Sequence, residues 1–429
     1  MPWARHLGET LLLAVVLAAQ PARTPGISNA QRSTVQHMLA DIQSRLLSAY
    51  YDPTFGGMNI KARYTEYEAK LRAAPTLGAA FIVIANYLQG LHNSHTFFVP
   101  PEFRYNTFYG FGMLMIAGHC FVVTVRPGSD AAKKVHLGDE VLALDGIPVS
   151  PANFNNLEYL IYELEPQTSL NLRLRSPVGV ERQVTVISKL VPNTDTKPLE
   201  SLFDPKDEED SRVVGDVFVW EFPSFMGELT HLDGVMRQAR RHAAIVLDLR
   251  GNGGGAEANL RYMLGFFIRH KILMDTEVGR KGRKPDMVKP HGEPYTGKLI
   301  VLIDHDSASA AEIFARVVQL DNLGTVVGDR SAGEVGESNL YPMRAPGETG
   351  GVDYAVGITV ADMVMSDGKS LENVGVQPDL ETVPTAADLA AGRDPVLAEA
   401  VEMAGGKLDP TAAGKLFPVV WAPYQVVRQ

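Results

Sequence analysis

Val35, Met38, Leu39, Ile42, Leu46 and Leu47 recur at intervals of three and four, which predicts an amphipathic helix. The run 77–91 is apolar on most faces and predicts a second, buried helix. From about residue 105 the period falls to two. Phe121 to Val125 precedes Pro127-Gly128, and Glu140 to Leu144 precedes Asp145-Gly146, a hairpin signal. Leu170 to Leu174 and Val184 to Val186 also alternate. A stretch rich in Pro and Asp, 192–210, reads as a linker. Beyond residue 213 the two periods take turns. Strands are expected at Val217–Trp220, Ile245–Leu249, Leu299–Ile303 and Thr325–Val327, and helices at Leu229–Arg241, Glu257–Phe267 and Ala310–Leu320. That alternation predicts a layered α/β core. The tail beyond Leu408 offers few signals.

The chain has 429 residues, 45% of them hydrophobic, which suits two or three domains and excludes wholesale disorder. Forty Lys+Arg against 50 Asp+Glu argue against nucleic acid as a partner. The single cysteine, Cys120, excludes an intramolecular disulfide and a Cys-based zinc cluster. It lies in the apolar run Cys120–Val123 and reads as a buried structural residue. At the N-terminus Arg5 and His6 precede an apolar run, Leu11–Ala19, too short to span a bilayer comfortably. Ala18, Ala19 and Ala22 then precede Pro25-Gly26. Residues 1–22 therefore read as a signal peptide cleaved near Ala19 or Ala22, and the mature chain as periplasmic or secreted. An uncleaved anchor is the alternative. No later run reaches a transmembrane length.

Two loops carry candidate chemistry. The first, Asp248-Leu249-Arg250-Gly251-Asn252-Gly253-Gly254-Gly255, follows a buried strand. Its glycines permit close backbone approach and can point N–H groups at an anion. Gly251, Gly253 and Ala256 fit a dinucleotide fingerprint, with Asp275 placed for a ribose; the same glycines could supply an oxyanion-hole N–H or a tight turn. The second loop, Asp306-Ser307-Ala308-Ser309-Ala310-Ala311-Glu312, sets a serine between a strand and a helix N-terminus. It can favour a developing anion or simply cap the helix.

Taken together, Leu-Asp-Leu-Arg-Gly-Asn-Gly-Gly-Gly (247–255) and Asp-Ser-Ala-Ser-Ala-Ala-Glu-Ile-Phe-Ala (306–315) resemble peptidase family S41, which holds the tail-specific and tricorn core proteases. The resemblance runs from about residue 30 to 385. It implies a crotonase-like α/β protease core, with an N-terminal helical domain and an inserted PDZ-like β-rich domain. The expected boundaries are 28–104 for the helical domain, 105–192 for the PDZ-like domain, 213–385 for the core and 386–429 for a tail. The family nucleophile matches Ser309, and the oxyanion hole matches the N–H groups of Gly255 and Ala310. The tail-specific branch keeps a lysine base in a later turn, but the matching turn here is Gly333-Glu334-Val335. Leu91-His92-Asn93-Ser94-His95-Thr96 instead resembles the Asp-Ser-His-Thr signature of the tricorn branch, with Asn93 in place of Asp. With Glu372 in Leu371–Asp379, the implied tetrad is Ser309, His95, Ser94 and Glu372. A neutral imidazole can take a serine proton near pH 7, and a third group must orient it. His305 is a second-choice base, and His92 with His95 could ligate a metal, without an evident third ligand.

Tyr109-Gly110-Phe111-Gly112 resembles a PDZ carboxylate-binding loop, and Leu137–Gly146 the most recognisable PDZ stretch. Peptide would then add as a strand; a groove filled by the chain itself is the alternative. The resemblance implies a serine endopeptidase acting on protein or peptide substrates, without a cofactor and with a homo-oligomer left open. A catalytically silent S41-like binder and a nucleotide-dependent enzyme are the competing readings.

Overall fold

A computed structural model describes residues 26–103, 105–193, 209–348, 350–419 and 421. The expected signal peptide and most of the linker lie outside the described residues.

The chain opens with α1 (Asn29–Ala49), α2 (Ile60–Ala73) and α3 (Leu77–Gln89). A capping box starts α1: the Gln31 N–H donates to Ser28 Oγ, and the Ser28 N–H donates to the Gln31 side chain. α3 buries every residue from Ala79 to Leu88, as its apolar run demands. Residues 90–96 then turn into β1 (Phe97–Val99).

The inserted segment carries β2 (Tyr105–Phe108), β3 (Phe111–Ile116), β4 (His119–Val125), β5 (Glu140–Leu144), β6 (Ile147–Pro148), α4 (Phe154–Tyr159), β7 (Ser169–Arg175), β8 (Glu181–Ile187) and β9 (Lys189–Pro192). β3, β4, β5, β7 and β8 form an antiparallel sheet in that order, while β2 pairs with β9 where the segment begins and ends. Asp145 and Gly146 both take positive φ, 46° and 83°, as the tight β5–β6 turn requires.

The third segment holds β10 (Asp210–Val214), β11 (Val217–Glu221), α5 (Leu229–Ala239), β12 (Ala244–Asp248), α6 (Glu257–Gly265), β13 (Ile272–Gly279), β14 (Gly282–Val288), β15 (Lys298–Ile303), α7 (Ala310–Leu320), β16 (Thr325–Gly328), β17 (Glu337–Gly347), β18 (Gly350–Met365), β19 (Leu380–Glu381), α8 (Ala386–Ala390), α9 (Pro395–Met403) and α10 (Pro410–Ala413). β10-β11-β12-β15-β16-β19 make a six-stranded sheet, parallel except at β10. Its central strands are covered on both faces, so they read as unbroken apolar runs. Phe218, Trp220, Ile245 and Leu247 face α5, α6 and α7, while Val219, Val246, Ile300 and Leu302 face Val396, Leu397 and Val401 of α9. The stretch after 386, expected as a tail, thus helps to cover the sheet.

A second sheet, which the sequence reading missed, is built around β18. β18 pairs with β17 along one edge, and with β1 and β13 along the other; β14 extends β13. Val356 and Ile358 of β18 share one core with α1 and α3, so the helical segment packs directly against the third segment.

Arg250 fixes α9 to the carboxyl end of β12. Its guanidinium donates to both Asp248 oxygens (2.6–3.1 Å) and to both Asp394 oxygens (2.8 and 3.1 Å). Burial raises the Asp394 carboxyl, but the Arg250 charge outweighs it and holds that carboxyl below its usual range. Replacing Arg250 by Met leaves two facing carboxylates uncompensated. The Arg250→Met chain should lose about 3 kcal/mol or more of stability, read by urea denaturation. An unchanged midpoint would show that this ion pair does not hold α9.

Candidate active site

Ser309 sits between β15 and α7 with φ 53° and ψ −117°, a backbone conformation strained for any residue but glycine. Its neighbours hold it there. The Ser309 N–H donates to the Glu334 carbonyl (2.9 Å) and to Glu312 Oε2 (3.1 Å). Gly254 faces it with φ +96°, and a Cβ on Gly254 would lie 2.7 Å from Ser309 Cβ and 3.0 Å from the Ala310 N. Only glycine fits so close an approach. The Gly254 N–H is spent on Asn252 Oδ1 (2.8 Å), whereas the N–H groups of Gly255 and Ala310 have no acceptor among the described residues. Ala310 follows Ser309 in the chain and Gly255 follows the glycine that packs on it, and unspent donors of this kind can meet an oxyanion.

His95, Ser94 and Glu372 form a connected relay. Ser94 Oγ lies 2.8 Å from His95 Nδ1 and donates to Glu372 Oε2 at 2.8 Å. The Ser94 N–H donates to Glu372 Oε1 (2.6 Å), and the Val335 N–H to Glu372 Oε2 (2.9 Å). A carboxylate only accepts, so the Ser94 proton goes to Glu372 and His95 Nδ1–H donates to Ser94 Oγ. That assignment leaves Nε2 as the basic nitrogen. Burial pushes the His95 imidazole down to about 4, so the ring is neutral at pH 7. Burial raises the Glu372 carboxyl, against the hydrogen bonds from Ser94 and Val335.

The loop 331–336 carries both halves. Its Glu334 carbonyl holds Ser309, its Val335 N–H holds Glu372, and its Gly336 would place a Cβ 3.5 Å from His95 Cβ and Cγ. Glu312, one turn into α7 and fully buried, anchors that loop. Its carboxylate accepts from Ser309 N (3.1 Å), Glu334 N (2.9 Å), Gly333 N (2.8 Å) and Ser331 Oγ (2.6 Å). Burial pushes this carboxyl up to about 7 while the hydrogen bonds pull it down. The sequence reading missed Glu312, although Ser309-x-x-Glu312 has the spacing of a capping box.

Other expectations fare differently. Glu334, in the lysine's place, accepts from Asn155 Nδ2 (2.7 Å) at the start of α4. Asn93 Oδ1 accepts from Thr359 Oγ1, which also lies 3.0 Å from Thr96 Oγ1, so the neutral amide braces the turn against β18. His305 packs beside Phe154 (ring centroids 6.1 Å apart), and among the described residues neither its ring nor that of His95 is hydrogen-bonded to Ser309. His92 is exposed, and no group of three or more His, Cys, Asp or Glu is set to hold a metal among the described residues. Asp275, proposed for a ribose, is fully buried on β13. Tyr109, Gly110 and Phe111 are buried, and Tyr109 Oη donates to the Ile161 carbonyl (3.2 Å) while accepting from Gln167 N–H (2.9 Å).

The fold is a mixed α/β architecture similar to that of mature CPAF, with a TM-score of 0.63 at 16% identity over 84% of this chain and 95% of that one. Residues 219–382 match the model of peptidase family S41. A carboxyl-terminal-processing protease of Picosynechococcus is 24% identical over 81% of this chain and 83% of its own. A putative tricorn protease homolog of Streptomyces coelicolor is 24% identical over 85% of this chain but only 32% of its own length. The chain is thus a serine-type peptidase, and its residues 219–382 are similar to peptidase family S41. No helix among the described residues is long and apolar enough to cross a membrane.

Glu312→Gln turns an NH2 group toward two of the donors in either orientation of the amide. It should cost about 3 kcal/mol, seen in denaturant unfolding, and more than Glu334→Gln. A smaller loss than Glu334→Gln would remove Glu312 from its anchoring role.

Proposed function

We propose that this chain is an exported serine endopeptidase that cleaves peptide bonds of protein substrates through an acyl-enzyme on Ser309. The observation that carries the reading is the relay His95–Ser94–Glu372, tied through loop 331–336 to Ser309. Ser309 Oγ attacks the peptide carbonyl carbon and passes its proton to His95 Nε2. The carbonyl oxygen takes the negative charge and is met by the Gly255 and Ala310 N–H groups. The imidazolium keeps Nδ1–H on Ser94 Oγ, and Glu372 offsets its charge through that hydroxyl. His95 then gives the proton to the leaving amine, which departs as the C–N bond breaks. Water, deprotonated by His95, hydrolyses the ester and restores Ser309.

Export rests on the signal-like residues 1–22. The core is read as crotonase-like, and the 105–192 segment as a PDZ-like module engaging substrate C-termini. Its β3 is an edge strand, which strand addition needs. Burial of Tyr109, Gly110 and Phe111 means that the carboxylate loop would receive a peptide only after a rearrangement.

Ser309→Ala and His95→Ala should each lower turnover of an unfolded protein substrate by about a thousandfold, against less than about tenfold for Glu334→Gln. Equal losses for His95 and Glu334 would refute the relay. A fluorophosphonate should label Ser309; absent labelling with peptide binding retained would identify a binding protein instead. The base works only when neutral, and the folded imidazole sits near 4. Activity (kcat/KM) should therefore persist through pH 6 and fall only as pH drops toward 4. A fall centred at 6.5 would contradict the buried His95.

A further inference from the structure

A second set of carboxylates adjoins the two loops that frame Ser309, and the proposed chemistry does not use it. Glu257 follows Gly255 by two residues and opens α6. Glu337 directly follows Gly336, which packs on His95. Between them, β13 contributes Asp275 and Glu277, two residues apart and so on one face, and β14 contributes Asp286 opposite Asp275. Two cations face the same space. Arg261 of α6 pairs with Glu257 (2.8 Å) and Asp286 (2.6 Å), and Lys284 of β14 pairs with Glu277 (2.6 Å). β18 adds only the apolar Met363 and Met365 there, opposite Glu277 and Asp275. Five acids against two cations leave a negative surplus in a partly buried place.

Asp275 makes that surplus informative. Its side chain is fully buried, and neither carboxylate oxygen has a hydrogen-bond partner among the described residues. An unpartnered buried carboxyl is costly and calls for an explanation. Asp286 stands directly across from it on β14 and Glu277 lies two residues on along the same face, so Asp275 adjoins this cluster. Burial and the neighbouring acids push Asp275 up to about 7 and Glu257 up to about 8. Glu337 has no ion pair among the described residues, and burial raises its carboxyl too.

We propose that Glu257, Asp286 and Glu337 form a subsite for a cationic side chain, arginine or lysine, of the peptide beside the scissile bond, and that the fully buried Asp275 reinforces its negative field. The proposal rests on the peptidase reading. An incoming guanidinium supplies the missing countercharge and gives a donor to Glu337, since Glu257 and Asp286 already share Arg261. Its arrival expels the protons the carboxyls carry, so recognition strengthens as pH rises from 6 to 8.

The test uses full-length protein and a peptide panel carrying arginine, or its uncharged isostere citrulline, at each position flanking the cleaved bond. With Ser309→Ala, binding at pH 8 should favour arginine by about tenfold at one position. That ratio should shrink at pH 6 and approach one with Glu337→Gln or Asp275→Asn. The active chain should show the same ratio in kcat/KM, with apolar peptides unaffected by Glu337→Gln. Cleavage of both peptides with equal efficiency, or a preference that survives both substitutions, overturns the subsite and leaves the peptidase intact. Selective binding without any cleavage keeps the subsite and removes the peptidase.

Discussion

The carboxylate of Glu312 lies in the dry space between the first turn of α7 and loop 331–336, and it accepts one hydroxyl and three backbone N–H groups. Removing a charge from water costs several kcal/mol, and only a full set of donors makes it tolerable. The donors come from two loops that also bond each other directly, Ser309 N–H to the Glu334 carbonyl and Ala332 N–H to the Ser307 carbonyl. Their shared acceptor therefore keeps Ser309 in its strained conformation and, through the same loop, sets the height of Glu372 and the wall behind His95.

The relay resolves a conflict. Burial makes His95 neutral and ready to accept a proton, but it also makes the resulting imidazolium expensive. Glu372 meets that cost at one remove. Ser94 passes the carboxylate's influence to Nδ1 while keeping the negative charge a full side chain away from the ring. The geometry also fixes the tautomer, because Ser94 has a single proton and Glu372 claims it.

The six-stranded sheet was legible in the sequence because β11, β12 and β15 are buried on both faces and their apolar runs are bounded by helix-period segments. α7 matches its expected span, since Ser309 and Asp321 punctuate it. β17 and β18 were not legible. β17 is mostly half-exposed, and β18 changes partners along its length, so neither holds one period. The proposed tetrad rests on motif resemblance and not on any local pattern. Local pattern cannot bring Ser94 to Glu372, 278 positions away, and it gives no hint that a buried glutamate joins their loops.

β1 joins the helical segment to β18 by only three residue pairs, yet the Asn93–Thr96 turn hangs from that junction. The proposed base therefore belongs to the first part of the chain, the proposed nucleophile to the middle and the proposed orienting carboxylate to the end. No shorter stretch contains a working set. A chain still emerging from synthesis holds His95 and Ser309 without the orienting Glu372. On the proposed relay, the order of the parts along the chain delays the complete site until the last of them has folded.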